Sequence, residues 1–460
     1  MRARRPSARN GLMKIAAVCC LGPTAALYAT PPAQASAFGA AHVAPGTRLW
    51  VSRFHSSDAL AIAVSNGGSK VFVTGSATIA YDAATGNRLW VDQPTGGDAI
   101  AVSPDRNVVF ITGAKTTPLH LSAYFHTVAY QATTGAQLWA SDYALPGPRR
   151  ADPQSLAVSP DGSAVFVTGY SRGQASGFDY TTVAYNAVTG TQLWVRRYNG
   201  PANGNDFATA VDISKDGRTV YVTGISVGGR PRRFEFATIA YSAATGARRW
   251  VSRFNERASR SDSAPALRVS SGTVFIAGTS GAKTSPSASY ATVAYSAATG
   301  AQRWVRMYAG ARRGGNFESS LAVGRGGRAV YVTGESQRSS GLYDFATVAY
   351  RAGTGARMWV SRYRPPRGCN ADAGAVAVGP GGRSVFVAGD TAGTSACRIG
   401  FATAAYSAAT GAQRWVRHYY AGKNFESGMA VSRVTDTVVV TGDSIPHPPN
   451  FEFVTVAYHG

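Results

Sequence analysis

The residues of this chain best suited to chemistry are carboxylates that recur along its length. One acid stands near the start of each of eight similar segments, 40 to 56 residues apart: Asp58, Asp98, Asp152, Asp206, Asp262, Glu318, Asp372 and Glu426. Carboxylate oxygens bind hard cations such as Ca²⁺, and they also attract basic partners. The alternative is loop capping, in which each carboxylate accepts backbone N–H groups. The candidate metal ligands are Asp98, Asp152, Asp206 and Asp372.

Other reactive residues do not form a recognisable catalytic site. The chain has 7 histidines, but none stands in an H-E-x-x-H motif or in another metal-binding spacing. No G-x-S-x-G nucleophile motif with partner residues occurs. We therefore predict no catalytic residue and no cofactor-binding residue, and we keep Ca²⁺ as a candidate ligand.

The four cysteines fall into two groups. Cys19 and Cys20 lie in residues 1–35, which we predict to be a signal peptide because a basic start, a short apolar stretch and an A-x-A site follow one another. Cys369 and Cys397 remain after export, and two cysteines in an oxidising compartment are expected to pair. They fall in two loops of one repeat, so we predict a structural disulfide between them.

The elements that hold these residues form a repeat, clearest in residues 80–90 (AYDAATGNRLW). Near-copies use all 8 tryptophans, which are Trp50, Trp90, Trp139, Trp194, Trp250, Trp304, Trp359 and Trp415. Each period also carries short runs rich in Val, Ile, Thr and aromatic residues, bounded by turn residues, which is typical of strands. Helical periodicity is absent. The pattern predicts an all-β fold.

The repeat also predicts how many units the fold has. Four antiparallel strands repeated radially describe a propeller blade. Eight tyrosines mark the third strand, and the last of them, Tyr458, lies two residues from the final residue. Residues 44–50 supply the second half of that last motif. Residues 36–460 are therefore predicted to form a single eight-bladed β-propeller whose last blade is closed by the N-terminal strand; a solenoid with capping repeats is the alternative.

The motif A-x-D-x-x-T-G-x-x-x-W resembles the tryptophan-docking motif of the pyrroloquinoline-quinone (PQQ) repeat family, matched in full by Ala80, Asp82, Thr85, Gly86 and Trp90. The resemblance implies an eight-bladed propeller in which each Trp stacks on a glycine turn of the neighbouring blade. It also implies either of two activities, because the family contains quinone dehydrogenases and non-catalytic scaffolds such as the outer-membrane assembly propeller.

Two features make the chain resemble the scaffolds more than the dehydrogenases. Dehydrogenases of the family carry a vicinal cysteine pair beside the quinone, whereas the only adjacent pair here is Cys19-Cys20. They also stack the quinone on a tryptophan, and every tryptophan here belongs to a docking motif. PQQ is therefore not an expected cofactor.

The loops divide the predicted propeller into two faces. The turns after the first and third strands are short and similar in every repeat, and we call their side the turn face. The links from second to third strand and from fourth to first strand vary in length, and we call their side the variable face. Binding residues usually lie on variable loops of a rigid scaffold. Four further acids, which precede third strands, are expected there: Asp179, Glu235, Asp344 and Glu452.

Charge suggests additional partners. The formal net charge is +22, and loss of the five basic residues in residues 1–35 leaves +17. Arginines follow the tryptophans at Arg53, Arg196, Arg197, Arg253, Arg306, Arg362 and Arg417. They either protect exposed strand edges or form a basic circumference that binds anionic polymer.

These observations predict a secreted or cell-wall-associated, monomeric binding or scaffold protein without a transmembrane segment. Its partner would be a protein or an anionic cell-surface polymer, with no specific nucleic acid. The alternative is a Ca²⁺-dependent hydrolase or a PQQ-type oxidoreductase with its site at the channel mouth. The export route, Sec or Tat, stays open.

Overall fold

The computed structural model describes residues 43–460 except 94–95, 117–122, 147–149, 175, 230–233, 256–261, 282–287, 311–314, 367, 394–396, 421–422 and 448–449. The predicted signal peptide, residues 1–35, lies outside the described residues. Within the described part of the chain no helix is long and apolar enough to cross a membrane.

The described residues form 32 strands in eight antiparallel four-stranded sheets, or blades, and one 3₁₀ turn at Arg325–Gly327. Blade 1 contains β2 (Ala59–Val64), β3 (Lys70–Gly75), β4 (Thr78–Asp82) and β5 (Arg88–Asp92). Blade 2 contains β6 (Ala99–Val102), β7 (Val108–Thr116), β8 (Ala123–Gln131) and β9 (Gln137–Tyr143). Blade 3 contains β10 (Ala151–Val158), β11 (Ala164–Arg172), β12 (Phe178–Asn186) and β13 (Gln192–Tyr198). Blade 4 contains β14 (Asp206–Ile213), β15 (Thr219–Val227), β16 (Phe234–Ser242) and β17 (Arg248–Phe254).

The second half of the chain repeats this arrangement. Blade 5 contains β18 (Asp262–Ser270), β19 (Thr273–Ser280), β20 (Ser289–Ser296) and β21 (Gln302–Tyr308). Blade 6 contains β22 (Asn316–Val323), β23 (Ala329–Gln337), β24 (Tyr343–Arg351) and β25 (Arg357–Tyr363). Blade 7 contains β26 (Cys369–Val378), β27 (Ser384–Gly393), β28 (Gly400–Ser407) and β29 (Gln413–Tyr419). Blade 8 contains β30 (Lys423–Val431), β31 (Thr437–His447), β32 (Asn450–His459) and β1 (Arg48–His55).

The blades close into a ring. The first strand of each blade contacts the first strand of the next, and β2 of blade 1 contacts β30 of blade 8. β1 pairs with β32 and is the outer strand of blade 8. The eight-bladed propeller closed by the N-terminal strand is therefore confirmed, and the solenoid is excluded.

Each hydrophobic cluster joins two neighbouring blades. In one of them, Phe166 and Trp194 of blade 3 pack with Val222 and Tyr241 of blade 4. The other clusters repeat this arrangement around the ring; one of them packs Trp50 of blade 8 against Tyr81 of blade 1. Because apolar burial is the main favourable term in folding, adjacent blades stabilise one another, and the core lies between the blades.

The tryptophans dock as the resemblance implies. The Nε1 of Trp50 donates to the carbonyl of Ala83 in the next blade at 2.9 Å. The same bond, to an Ala carbonyl of the following blade, is made by Trp90, Trp139, Trp194, Trp250, Trp304 and Trp359. Gly86 has φ +74° and faces the Trp50 ring, so a Cβ there would lie 2.6 Å from it. Trp415 takes the corresponding place against Gly46, where a Cβ would lie 2.9 Å from the ring.

A glycine near the end of the second strand shapes the variable face. The inner strand bulges opposite it, as between Ala208 and Ala210 in blade 4. A Cβ on Gly224 would lie 2.0 Å from the carbonyl oxygen of Phe207. The residue after this glycine then lies beside the start of the inner strand, next to the recurring acid.

Candidate functional site

The four candidate metal ligands lie in different blades and have different surroundings. Asp152 is buried and forms an ion pair with Arg150 at 2.9 Å. It also accepts hydrogen bonds from Gln154 and Tyr170, each at 3.1 Å. Its carboxylate is therefore held by protein donors and a cationic partner.

Asp206 caps a loop. Its Oδ2 accepts from the Gly200 amide at 2.7 Å and its Oδ1 accepts from the Val227 amide at 3.0 Å. Burial raises the pKa of this carboxyl, and the bonds from Ser226 and the two amides oppose that rise. This contact pattern matches the capping alternative.

Asp98 lines a cleft of about 240 Å³ between blades 1 and 2. Four glycines form much of its wall, and Lys115 and His126 also line it. His126 Nδ1 lies 2.5 Å from Asp142 Oδ1, while His126 Nε2 is buried without a hydrogen-bond partner. A carboxylate bonded to one ring nitrogen of histidine sets the orientation of the ring and the tautomer of the other nitrogen. Small or uncharged residues, such as Ala237 and Ala346, occupy the His126 position in other blades.

Asp372 belongs to a group that we call the acidic arc, which consists of Asp372 and Asp390 of blade 7 and Glu426 and Asp443 of blade 8. Asp372 and Asp390 are cross-strand partners. The Asp390 carboxylate accepts a hydrogen bond from the backbone amide of Glu426. Asp443 Oδ1 accepts from the amide of Ala59 in blade 1 at 2.6 Å. The arc thus crosses two blade boundaries on the variable face.

The arc carries raised carboxyl pKa values. Burial raises the pKa of Glu426 to about 8 and that of Asp443 to about 6. Burial also raises the pKa of Asp390 well above its ordinary range, and the charges of Glu426, Asp372 and Asp443 add to the rise. Burial raises the pKa of Asp372, opposed by a hydrogen bond with Glu335 of blade 6. Like charges in a poorly solvated group disfavour ionisation.

Among the described side chains, the arc has no cationic partner of the kind that other acids on this face have. Asp344, which is fully buried, has Arg338 at 3.0 Å and Arg362 and Arg364 each at 3.7 Å. None of the ion pairs among the described side chains involves Asp372, Asp390, Glu426 or Asp443. Nor do three or more His, Cys, Asp or Glu side chains converge as metal ligands within the described residues.

Two phenylalanines of blade 8 are exposed on the variable face. Phe425 is 41% exposed and Phe451 is 45% exposed, and both lie at the variable-face ends of blade 8 strands. Phe425 is the cross-strand partner of Asp443. None of the other large hydrophobic side chains exposed in the described part of the chain is aromatic. Exposed aromatics beside polar groups are common at interaction sites.

The acids that precede third strands are paired with the arginines that follow tryptophans. Arg197 binds Asp179 at 2.9 Å, and Arg253 binds Glu235 at 2.8 Å. Arg253 also donates to Tyr198 of the preceding blade at 2.6 Å. Comparable contacts join Arg362 to Asp344 and Tyr308, and Arg53 to Glu452 and Tyr419. Arg253, Arg362 and Arg53 therefore connect neighbouring blades, a role that the sequence analysis did not include.

The other arginines of this set also connect blades. Arg196, Arg306 and Arg417 donate through Nε to the glycine-turn carbonyls of Gly246, Gly355 and Gly46 at 2.8 to 2.9 Å. Each guanidinium also lies over the ring of the docking tryptophan of its own strand. The sequence expectation placed these arginines at a free edge, and it missed the neighbouring turn that they hold.

The predicted disulfide is present. Cys369 and Cys397 are bonded, with Cα atoms 5.5 Å apart. Cys369 begins β26 and Cys397 lies in the link between β27 and β28, so both are on the variable face of blade 7. The bond fixes this link beside the start of the strand that carries Asp372.

The second-strand members of the arc were missed by sequence reasoning. The position after the second-strand glycine is uncharged in blades 1 to 5, where it holds Ser76, Ala114, Tyr170, Ile225 and Thr279. It is acidic in blades 6 to 8, where it holds Glu335, Asp390 and Asp443. Aligning the repeats at this glycine would have shown three adjoining acidic blades. Of the three remaining recurring acids, Asp58 is exposed just before β2, and Asp262 and Glu318 have side chains outside the described set.

Comparison with known proteins agrees with this architecture. The family described as outer membrane protein assembly factor BamB, a PQQ-type repeat family, matches residues 125–379, more than half of the chain. The chain therefore belongs to this family of PQQ-like propellers. None of the curated proteins matches the sequence.

Solved structures share the fold at low identity. Quinohemoprotein alcohol dehydrogenase from Comamonas testosteroni is 13% identical with a TM-score of 0.58, over 89% of this chain and 76% of that one. Quinohemoprotein alcohol dehydrogenase ADHIIG from Pseudomonas putida HK5 is 13% identical with a TM-score of 0.56 over the same shares. At this identity the likeness shows the propeller fold alone.

Proposed function

We propose that this chain is an exported, non-catalytic binding protein that docks a protein partner on its variable face. One observation carries the proposal: departures from the repeat concentrate on that face. The tryptophans and turn glycines that build the ring recur in every blade, whereas an acid after the second-strand glycine occurs only in blades 6 to 8, as Glu335, Asp390 and Asp443. Phe425 and Phe451 of blade 8 are in addition exposed. A residue present in all blades serves the fold, and a feature confined to adjoining blades serves a task specific to them.

The residues described do not fit a quinone cofactor of the kind that the dehydrogenase branch of the resemblance implies. Seven tryptophans donate Nε1 to the next blade, and Trp415 packs against Gly46. Cys369 and Cys397, 28 residues apart, are bonded to each other. The only adjacent cysteine pair, Cys19-Cys20, lies outside the described residues. We therefore derive no reaction step through a quinone.

Export is proposed from residues 1–35, which carry the signal-peptide features. A protein partner is favoured over an anionic polymer because the outer-strand arginines are engaged with neighbouring blades and carboxylates. The exposed phenylalanines and the uncompensated acids are also better suited to a protein surface than to a polyanion.

Reconstitution tests the non-catalytic part of the proposal. Purified protein is incubated with PQQ and Ca²⁺, passed through gel filtration, and assayed for alcohol-dependent dye reduction and for thermal melting. We expect no retained quinone absorbance, no dye reduction and no rise in melting temperature with Ca²⁺. Retained quinone with turnover would identify the oxidoreductase alternative, and a Ca²⁺-dependent rise would support the metal-dependent alternative.

A further inference from the structure

Glu426 is a buried acid with an oxygen that accepts no hydrogen bond from the described residues. Glu426 is only 7% exposed, and none of the described residues forms a hydrogen bond with its Oε1. Oδ1 of Asp372, in the same arc, also lacks one. Burying an ionisable oxygen without a partner is costly. A ligand that offers positive charge or N–H donors at this point would remove that cost.

Other acids on the variable face are paired with arginines. Asp152, Asp179, Glu235 and Asp344 each lie within 3.0 Å of an arginine nitrogen. The arc carboxyls lie on the same face but face one another and Asp58 of blade 1. Since no described arginine or lysine is paired with the arc, a cationic partner could supply this charge.

The layout of the arc favours several cationic groups over one metal ion. A divalent cation needs convergent oxygen ligands, and the described side chains provide no such group. The arc carboxyls instead follow one another from blade 7, through blade 8, to the edge of blade 1. An extended peptide with lysine or arginine side chains could place separate head groups along this path. Phe425 and Phe451 offer apolar contact beside it.

We propose that the acidic arc, with Phe425 and Phe451, is the docking site for a basic segment of a protein partner. The inference rests on the proposed function, because it names the chemistry of the partner that the variable face would bind. The net charge of the whole chain is +22, so general attraction does not bring a polycation to this protein. Binding of a basic peptide would require a local acidic site.

A fluorescein-labelled oligolysine peptide tests the site by fluorescence anisotropy at about 20 mM salt, where screening is weak. The test variant is Asp390→Asn with Glu426→Gln and Asp443→Asn. Each amide oxygen can still accept the hydrogen bond of the carboxylate that it replaces, so the fold is retained. We expect at least a tenfold loss of affinity. The control is Asp105→Asn, an exposed acid on the turn face, which should leave affinity unchanged.

The pH dependence of oligolysine affinity provides a second test. Oligolysine binds the charged carboxyls, so binding must release their protons, and affinity should rise between pH 5 and pH 8.5. In Glu426→Gln the rise should be smaller. Equal affinity of the triple variant and the parent protein, or no binding at low salt, would overturn the inference. Displacement of the peptide by submillimolar Ca²⁺ without effect from Mg²⁺ would also overturn it, in favour of a metal site.

The failure of this inference can be distinguished from failure of the proposed function. If a partner crosslinks to the variable face and the crosslink persists in the triple variant, the binding role stands and the basic-segment chemistry is wrong. If quinone turnover appears in the reconstitution assay, the proposed function itself is wrong, whatever oligolysine does.

Discussion

The backbone amide of Gly46 donates a hydrogen bond to the carbonyl of His459 at 2.6 Å. In blade 1 the matching bond runs from Gly86 to Asp82 at 2.8 Å. The return bond from His459 to Thr47 likewise matches the bond from Asp82 to Asn87. The two ends of the described chain therefore rebuild one turn of the repeat, and blade 8 has the same hydrogen-bonded closure as the others.

This seam predicts a tolerated circular permutant. Residues 44–50 continue the motif that ends at Gly460, so Gly460 can be joined directly to Ala44. New termini are opened between Gly67 and Gly68, at an exposed turn where a Cβ on Gly67 would meet nothing within 4 Å. We expect a melting temperature within about 5 °C of the parent, since small local changes shift a domain of this size by a few degrees. The control has the same new termini and a five-residue linker inserted between Gly460 and Ala44. If the control folds and the directly joined permutant does not, the two ends do not meet in the motif register.

The docking of Trp50 on Gly86 predicts that adding one methyl group at Gly86 strongly lowers the free energy of unfolding. Gly86→Ala places a Cβ 2.6 Å from the Trp50 ring at φ +74°, so it combines backbone strain with a ring clash. We expect a loss of about 3 kcal/mol in the free energy of unfolding, measured in urea. Gly326→Ala isolates the strain, because φ is +77° and nothing lies within 4 Å; it should cost about 1 kcal/mol. Equal losses in the two variants would show that the ring contact is unimportant.

Cross-strand threonine pairs predict a stabilising substitution. Thr223 and Thr238 share a hydrogen bond at 3.0 Å in blade 4, and five other blades contain the same pair. In blade 5 the partner of Thr292 is Ala277, and Thr292 Oγ1 is buried without a hydrogen-bond partner. Ala277→Thr should therefore raise the free energy of unfolding by about 1 kcal/mol. Ala277→Val, which has the same shape without the hydroxyl, should not; a gain in both variants would assign the effect to packing.

The raised pKa of Glu426 predicts how stability depends on pH. Its carboxyl titrates near 8 in the folded chain, against an ordinary value of 4.5. Below about pH 4.5 the Glu426 carboxyl is protonated in both the folded and the unfolded protein. Between about pH 4.5 and pH 8 it stays protonated only in the folded protein. The free energy of unfolding therefore falls as pH rises through this interval. Over that interval the fall should amount to a few kcal/mol at most. In Glu426→Gln it should be smaller, and in Asp105→Asn it should match the parent. The same slope in all three proteins, measured by urea unfolding at pH 5 and pH 8, would show that Glu426 is not a buried acid.

The sequence predicted the propeller scaffold because the residues that build it lie in short, repeated motifs. Trp90 and Gly86 belong to one short motif whose spacing counts the blades, and Cys369 and Cys397 fall in two links of one repeat. The arginine contacts could not be predicted in this way. Arg253 joins an acid on an adjacent strand to a tyrosine 55 residues away in the preceding blade, which depends on blade stacking. Glu426 and Asp390 meet across a blade boundary for the same reason.

The central claim, that the variable face of blade 8 is the binding face, is tested most directly by photocrosslinking in the producing cells. A photoreactive phenylalanine derivative replaces Phe451 on the variable face, and in a second strain it replaces Val434, which is 65% exposed on the turn face of the same blade. We predict a discrete adduct from position 451 that disappears when Asp390, Glu426 and Asp443 are neutralised, and none from position 434. An adduct from position 434 alone would contradict the account.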